Sequence, residues 1–202
     1  VDQNLLFPMN PFGLQTIAEP LPGLLLLEPK RHGDDRGYFM ETYREGEEAI
    51  RWVQDNESMS HRGVLRGMHF QRPPHAQAKL VSVVQGSVYD VVVDLRPASP
   101  TYGQHFGTVL SAENHRRLFI PEGFAHGFLT LDDHSIFQYK CSALYAPDSE
   151  GAIDYRDANL GIDWAAAWGS DPQSWRVSDK DQHGMAFASF DSPFVGPEYT
   201  PA

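Results

Sequence analysis

An all-β sandwich or barrel is the architecture this sequence predicts. Short apolar or alternating runs recur along the chain, and turn-forming residues separate them. With 17 Gly and 15 Pro among 202 residues, long helices have little room. In order, the β-like runs are Leu24–Glu28, 38–43, 52–56, 62–71, 79–84, 88–95, 104–110, 118–120, 128–131 and 136–141. The first is a run of leucines ending on Glu28, and 79–84 and 88–95 are rich in valine, which suits a pleated, buried surface. Between the runs sit Gly33-Asp34-Asp35-Arg36-Gly37, Gln85-Gly86-Ser87, Pro97-Ala98-Ser99-Pro100 and Asp132-Asp133-His134. Each is a turn by mechanism: Gly supplies positive φ, Pro presets φ, and Asp closes a local turn with its side chain. One short helix is expected over 44–52, Glu-rich and carrying Ala49, Ile50 and Trp52. From Ala146 onward the chain reads as loops and turns, with Trp164, Trp168 and Trp175 as packing anchors.

Length predicts a single domain. Its expected limits are 21–193, preceded by an extension over 1–20 and followed by a tail over 194–202. A composition of 41% hydrophobic and 21% charged residues is ordinary for a globular protein. The formal net charge of −11 disfavours nonspecific attraction to nucleic acid or anionic membranes. No apolar run approaches the ~20 residues of a membrane-spanning helix. No basic region followed by an apolar one opens the chain, so no secretory signal is visible and a cytoplasmic setting is expected. The lone Cys141 excludes an internal disulfide framework and a cysteine-based zinc cage.

Several polar residues interrupt the strand-like runs. Over 136–141, alternation puts Phe137, Tyr139 and Cys141 on one face and Gln138 and Lys140 on the other. Tyr139 is then either a core tyrosine bonded to a carbonyl or a site residue. Cys141, without a basic neighbour on its own face, reads as an inert core thiol. In Arg62-Gly63-Val64-Leu65-Arg66-Gly67-Met68-His69-Phe70-Gln71, two glycines suggest a bulge or a close approach to a ligand. Strict alternation parts Arg66 from His69, whereas an irregularity at Gly67 turns both toward one cavity. Lys79 heads its apolar run, as a rim lysine or as a residue held in a site.

The string Pro121-Glu122-Gly123-Phe124-Ala125-His126 is similar to the second motif of the cupins, small double-stranded β-helix barrels. In metal-binding cupins that histidine joins a His-x-His pair and a Glu. Here only His69 stands in the earlier segment, and His61, His75 and His105 form no such pair. A catalytic metal, which needs three or four converging ligands, is therefore not expected. No phosphate-binding or dinucleotide glycine motif occurs, and no Gly-x-Ser-x-Gly elbow.

Taken together, these strings resemble one family, the dTDP-4-dehydrorhamnose 3,5-epimerases. The resemblance runs from about Pro22 to Pro193. It is carried by Gly33-Asp34-Asp35-Arg36-Gly37-Tyr38-Phe39, Val53-Gln54-Asp55-Asn56, the Gly63 to Gln71 string and Ala76-Gln77-Ala78-Lys79-Leu80-Val81. It continues through Ser99-Pro100-Thr101-Tyr102-Gly103, Leu110-Ser111-Ala112-Glu113-Asn114, Phe119 to Phe128, Tyr139-Lys140-Cys141 and Ser178-Asp179-Lys180-Asp181. The resemblance implies a cupin-type jelly roll with a few short helices and a loop-rich C-terminal segment. It implies His69 as general base, Asp181 as its carboxylate partner, Lys79 as oxyanion stabiliser and Tyr139 as the opposed acid. Arg36, Glu41, Gln54, Asn56, Arg66, His126, Tyr145 and Glu150 would bind the substrate, a dTDP-4-keto-6-deoxyhexose. No cofactor or metal is implied. A homodimer is, with the extension over 1–20 a candidate for exchange between subunits.

Some positions depart from the family pattern. Ala78 stands where Gly is common and His32 where Phe is common, and the stretch 165–175 is longer than expected. The readings that compete with inversion at both carbons are inversion at one carbon, a metal-dependent cupin enzyme and a noncatalytic sugar-nucleotide binding module.

Overall fold

The computed structural model describes residues 12–44, 50–169 and 175–195. Two antiparallel sheets face each other as a jelly roll. The first runs in the order β1 (Gln15–Leu21), β2 (Leu24–Glu28), β10 (Arg117–Ile120), β7 (Lys79–Gln85), β12 (Ser135–Cys141) and β5 (Gln54–Ser60). The second runs β13 (Glu150–Ala152), β6 (Val64–Gln71), β11 (Phe124–Thr130), β8 (Ser87–Asp94) and β9 (His105–Ser111). The short β14 (Arg176–Val177) adds to β6 in parallel. A separate hairpin, β3 (Arg31–Asp34) with β4 (Gly37–Met40), joins neither sheet.

Alternation decides which face of each strand is covered. Between the sheets, Leu24, Leu26, Val81, Val83 and Phe137 meet Val88, Val92, Leu110 and Phe128. Leu25, Leu27, Leu80 and Phe119 point to the opposite face of the first sheet, where Phe12, Leu14 and Trp52 cover them. The outer face of the second sheet, with Leu65, Met68, Phe70 and Val91, is closed by Ile153, Leu160, Trp164, Trp168, Phe190 and Phe194. Strands covered on both faces account for the continuous apolar runs in the sequence.

The expected strands are present, with shifted ends: 52–56 becomes Gln54–Ser60, 128–131 lengthens to Phe124–Thr130, and 38–43 shortens to Gly37–Met40. Residues 45–49 of the expected helix lie outside the described residues, and Arg44 and 50–52 on either side are not helical. Ile50 and Trp52 pack instead on the first sheet. The C-terminal segment is loop-rich as expected but includes α1 (Trp164–Trp168), capped by Asp163 through the Ala166 amide. Trp164 and Trp168 are buried anchors and Trp175 packs beside them. The expected domain start at residue 21 falls at the end of β1, whose partner is β2 of the same chain. Residues 1–11 lie outside the described residues, as do 196–202 of the expected tail.

Candidate active site

One irregularity in β6 builds the site. In its pairing with β11, His126 stands opposite His69 and Phe128 opposite Arg66. A two-residue step on β11 thus faces a three-residue step on β6, which is a bulge of one residue. Because His126 and Phe128 share a face, the bulge brings Arg66 and His69 to that same face. Gly67 permits it: its φ is +129°, and a Cβ there would come within 2.5 Å of Gly127 Cα. The bulge thus puts Arg66 and His69 on one face of β6, although of the two only His69 lines the cavity described next.

His69 lines a cavity of about 280 Å³ together with Gln54, Asn56, Lys79, Tyr139, Tyr145 and Glu150. Behind it, Nε2 lies 2.6 Å from Oδ1 of the buried Asp181. Burial works to raise the Asp181 carboxyl, but the bonds from His69, Ser178 and the Gly67 amide outweigh it and hold the group below the usual carboxylate range. Asp181 is therefore an anion that accepts the Nε2 proton, which leaves Nδ1 as the nitrogen with a free lone pair.

Lys79 and Tyr139 come from the opposite sheet, on neighbouring strands β7 and β12. The Lys79 ammonium sits 5.9 Å from the centre of the Tyr139 ring. Burial pushes Lys79 below its usual range, although Cys141, Asp90 and Glu150 pull the other way. Burial also raises the Tyr139 phenol, so it stays protonated at neutral pH. Tyr139 faces the cavity, and among the described residues its hydroxyl bonds no carbonyl, which leaves it available to a ligand.

Gln54 and Tyr145 fix the mouth. The Tyr145 amide donates to Gln54 Oε1 at 2.8 Å, and Gln54 Nε2 donates to Asn56 Oδ1 at 2.9 Å. Glu150 accepts from the Tyr145 hydroxyl at 2.7 Å and from Lys180 Nζ at 2.5 Å. Arg66 donates through Nε to Ser60 and acts electrostatically on Tyr139. His126 lies in the buried interior, with Nε2 2.9 Å from Asp90 Oδ2 and its ring stacked on Phe137.

Of the expected binding residues, Arg36, Glu41, Arg66 and His126 are not among those that line this cavity in the single chain. Arg36 lies on the exposed β3–β4 hairpin and forks onto Asp34, and Glu41 binds Arg44 at 2.8 Å. Cys141 needs a correction. It lines the cavity, and Lys79 is its cross-strand neighbour, a basic partner that local sequence could not reveal. Burial nevertheless outweighs Lys79 and raises the thiol, so it stays neutral. Gln71, Gln77 and Lys180 were not singled out from sequence. Gln71 accepts from the Ala146 amide, and Gln77 donates to the Ala143 carbonyl, so both hold the loop that carries Tyr145. The available signal is position in the resembling strings: Gln71 ends the one that carries His69, Gln77 stands two before Lys79, and Lys180 precedes Asp181.

The geometry is a histidine–carboxylate pair on one wall facing a lysine and a phenol on the other. The family model described as dTDP-4-dehydrorhamnose 3,5-epimerase matches residues 18–189. The chain belongs to this family. The dTDP-4-dehydrorhamnose 3,5-epimerase of Methanothermobacter thermautotrophicus is 50% identical over 173 residues, covering 83% of this chain and 91% of that one. The epimerase of Legionella pneumophila, solved in complex with dTDP-4-keto-L-rhamnose, is 40% identical with a TM-score of 0.81, covering 93% and 100% of the two chains. A 3'-monoepimerase from Streptomyces bikiniensis in complex with dTDP-quinovose is 33% identical with a TM-score of 0.75, covering 85% and 87%. Members of the dTDP-4-dehydrorhamnose 3,5-epimerase family are isomerases, and this protein is an enzyme of that class. Among the described residues, no helix is long and apolar enough to cross a membrane.

Proposed function

We propose that this epimerase inverts C3 and C5 of dTDP-4-keto-6-deoxyglucose to give dTDP-4-keto-rhamnose. The C4 ketone acidifies the hydrogens on both neighbours, because losing either gives an enolate. His69 takes the proton through Nδ1, and Asp181 stabilises the imidazolium that forms. Lys79 faces the charge that develops on O4. Tyr139 gives a proton to the enolate carbon from the other side of the ring and is recharged from solvent, as His69 returns its proton to solvent. Repeating the cycle at the second carbon completes the reaction. Each step conserves electrons within the sugar, so the chemistry requires no redox cofactor, and Lys79 supplies at O4 the positive charge that a metal would otherwise bring.

The observation that carries this reading is the placement of His69–Asp181 and Tyr139–Lys79 on opposite walls of one cavity. A binding module has no need of a base opposed by an acid. At about 280 Å³ the cavity falls just below the ~300–1,000 Å³ usual for small-molecule sites, which suits a sugar with its nucleotide extending outward. The Legionella complex supports the choice of nucleotide sugar. Gln54, Asn56, Tyr145 and Glu150, which line the cavity, bind it, and Arg66 and His126, which do not line it in the single chain, complete the proposed set. Arg66 supplies a local cation that screening lets outweigh the overall charge of −11, since the Debye length is only about 8 Å at physiological ionic strength.

The working form is a homodimer in the cytoplasm, a setting that suits a chain with one cysteine. Arg36 and Glu41 meet substrate in the partner's cavity, delivered by the hairpin on which Phe39 is 71% exposed. The likeness to a 3'-monoepimerase favours a second reading, inversion at one carbon alone. Replacing Tyr139 by Phe tests the assignment of acid. Solvent deuterium exchange at the sugar persists in Tyr139→Phe while inversion falls by ~10²–10⁴-fold; inversion at the parental rate removes Tyr139 from this role.

A further inference from the structure

The end of the barrel remote from the cavity brings two connections together. Residues 61–63 join β5 to β6, and 131–134 join β11 to β12, so each crosses from one sheet to the other. Where they meet, His61 Nδ1 lies 2.9 Å from Asp133 Oδ1, and His134 Nδ1 lies 3.4 Å from Asp133 Oδ2. The two imidazole rings stand edge to face with centroids 4.9 Å apart. One potential ligand atom from each of the three residues falls within 4.8 Å of the others.

From this geometry we propose a second site, one that takes a first-row divalent cation of the zinc class and staples the two sheet-to-sheet crossovers. Two imidazoles and a carboxylate are the donors such ions prefer, with open positions left to water. Ligands ~2.0–2.1 Å from a tetrahedral ion stand about 3.4 Å apart, so these groups need to close by little more than ~1 Å. All three side chains are exposed and free to make that adjustment. Asp133 is already an anion: bonds from His61 and the Arg62 amide hold its carboxyl below the usual range.

The surroundings fix the turns, and of the ligand atoms Asp133 Oδ1 also accepts from the Arg62 amide at 3.3 Å. Gln85 Nε2 donates to the His134 carbonyl at 2.9 Å, and Ser135 Oγ donates to the Asp132 carbonyl at 2.8 Å. The Gly63 amide donates to the Thr130 carbonyl at 2.9 Å, tying one connection to the other. The nearby cation, Arg62, is engaged elsewhere: its Nε donates to the Leu131 carbonyl and its guanidinium lies 4.5 Å over the Trp168 ring. His134 holds a φ of +54° in the turn. Ser135, which follows His134, stands four positions before Tyr139 on β12, about 14 Å of strand, so this site is distinct from the catalytic cavity.

The test is titration of the tag-free full chain with Zn²⁺ alone at neutral pH, followed by calorimetry and thermal unfolding. We expect one equivalent bound per chain at this site and a raised Tm. His61→Gln, Asp133→Asn and His134→Asn each weaken binding by at least ~tenfold and cancel the Tm gain, whereas His69→Asn leaves both unchanged. All of these positions but His69 are exposed turn residues, and Asn is at ease at positive φ, so the variants fold. Absence of binding, or binding that the three turn variants leave intact, overturns the proposal. So does binding that only His69→Asn removes.

Discussion

The carboxylate of Asp181 determines which nitrogen of His69 can act. With Nε2 donating to a buried anion, the imidazole is held in one tautomer, with Nδ1 turned to the substrate. The pH dependence follows from the two groups on the opposite wall, whose shifts run in opposite directions. Burial lowers Lys79 and raises Tyr139. As pH rises, Lys79 loses its proton before an ordinary lysine would, at a pH below ~10.4, while Tyr139 keeps its proton past the ordinary phenol value of ~10. We predict that Lys79, the group shifted downward, sets the alkaline limb of kcat. A kcat–pH profile will show that limb below ~10.4, and the residual activity of Tyr139→Phe will show the same midpoint. A midpoint that moves with Tyr139→Phe contradicts the assignment. His69, Lys79 and Tyr139 were legible from the strings around them. The Lys79–Cys141 contact was not, because it is made across two strands far apart in sequence.

At the scale of elements, the bulge in β6 converts a strand into an active-site wall. Gly67→Ala would force a methyl into the Gly127 backbone at a φ of +129°. We expect a loss of at least ~1–3 kcal/mol of stability by urea unfolding, and a kcat that falls further than stability alone explains, since His69 and Arg66 lose their common face. An unchanged kcat in the folded variant would show that the bulge does not position His69. Most of the longer strands announced themselves because alternation and valine-rich runs are local signals, but β1, with Glu19 and Pro20 inside it, and β3, which overlaps the expected 33–37 turn, did not. β13 and β14 did not, since each is only two or three residues long and is made by pairing with β6. The two glycines in the β6 string signalled an irregularity, but only the register with β11 shows which way it turns the side chains.

For the whole molecule, the unmatched feature is the β3–β4 hairpin, which leaves Tyr38 and Phe39 exposed and carries Arg36 away from its own cavity. In a homodimer with composite cavities, Arg36→Ala and His69→Asn damage a shared site from different subunits. Mixing the two variants under subunit exchange will restore activity, because a mixed dimer has one cavity with both residues intact. If mixtures show only the sum of the two separate activities, each chain builds its site alone. Sequence indicated Arg36 through its motif, yet the distance from Arg36 to the cavity depends on how chains associate, which no single-chain pattern encodes.

The most direct measurement follows H3 and H5 of dTDP-4-keto-6-deoxyglucose by NMR with the protein in D₂O. The proposed mechanism predicts that both signals disappear as deuterium enters with inversion at each carbon, and that His69→Asn abolishes the exchange while dTDP still binds. Undiminished exchange in His69→Asn, or inversion with the original hydrogens retained, would contradict it.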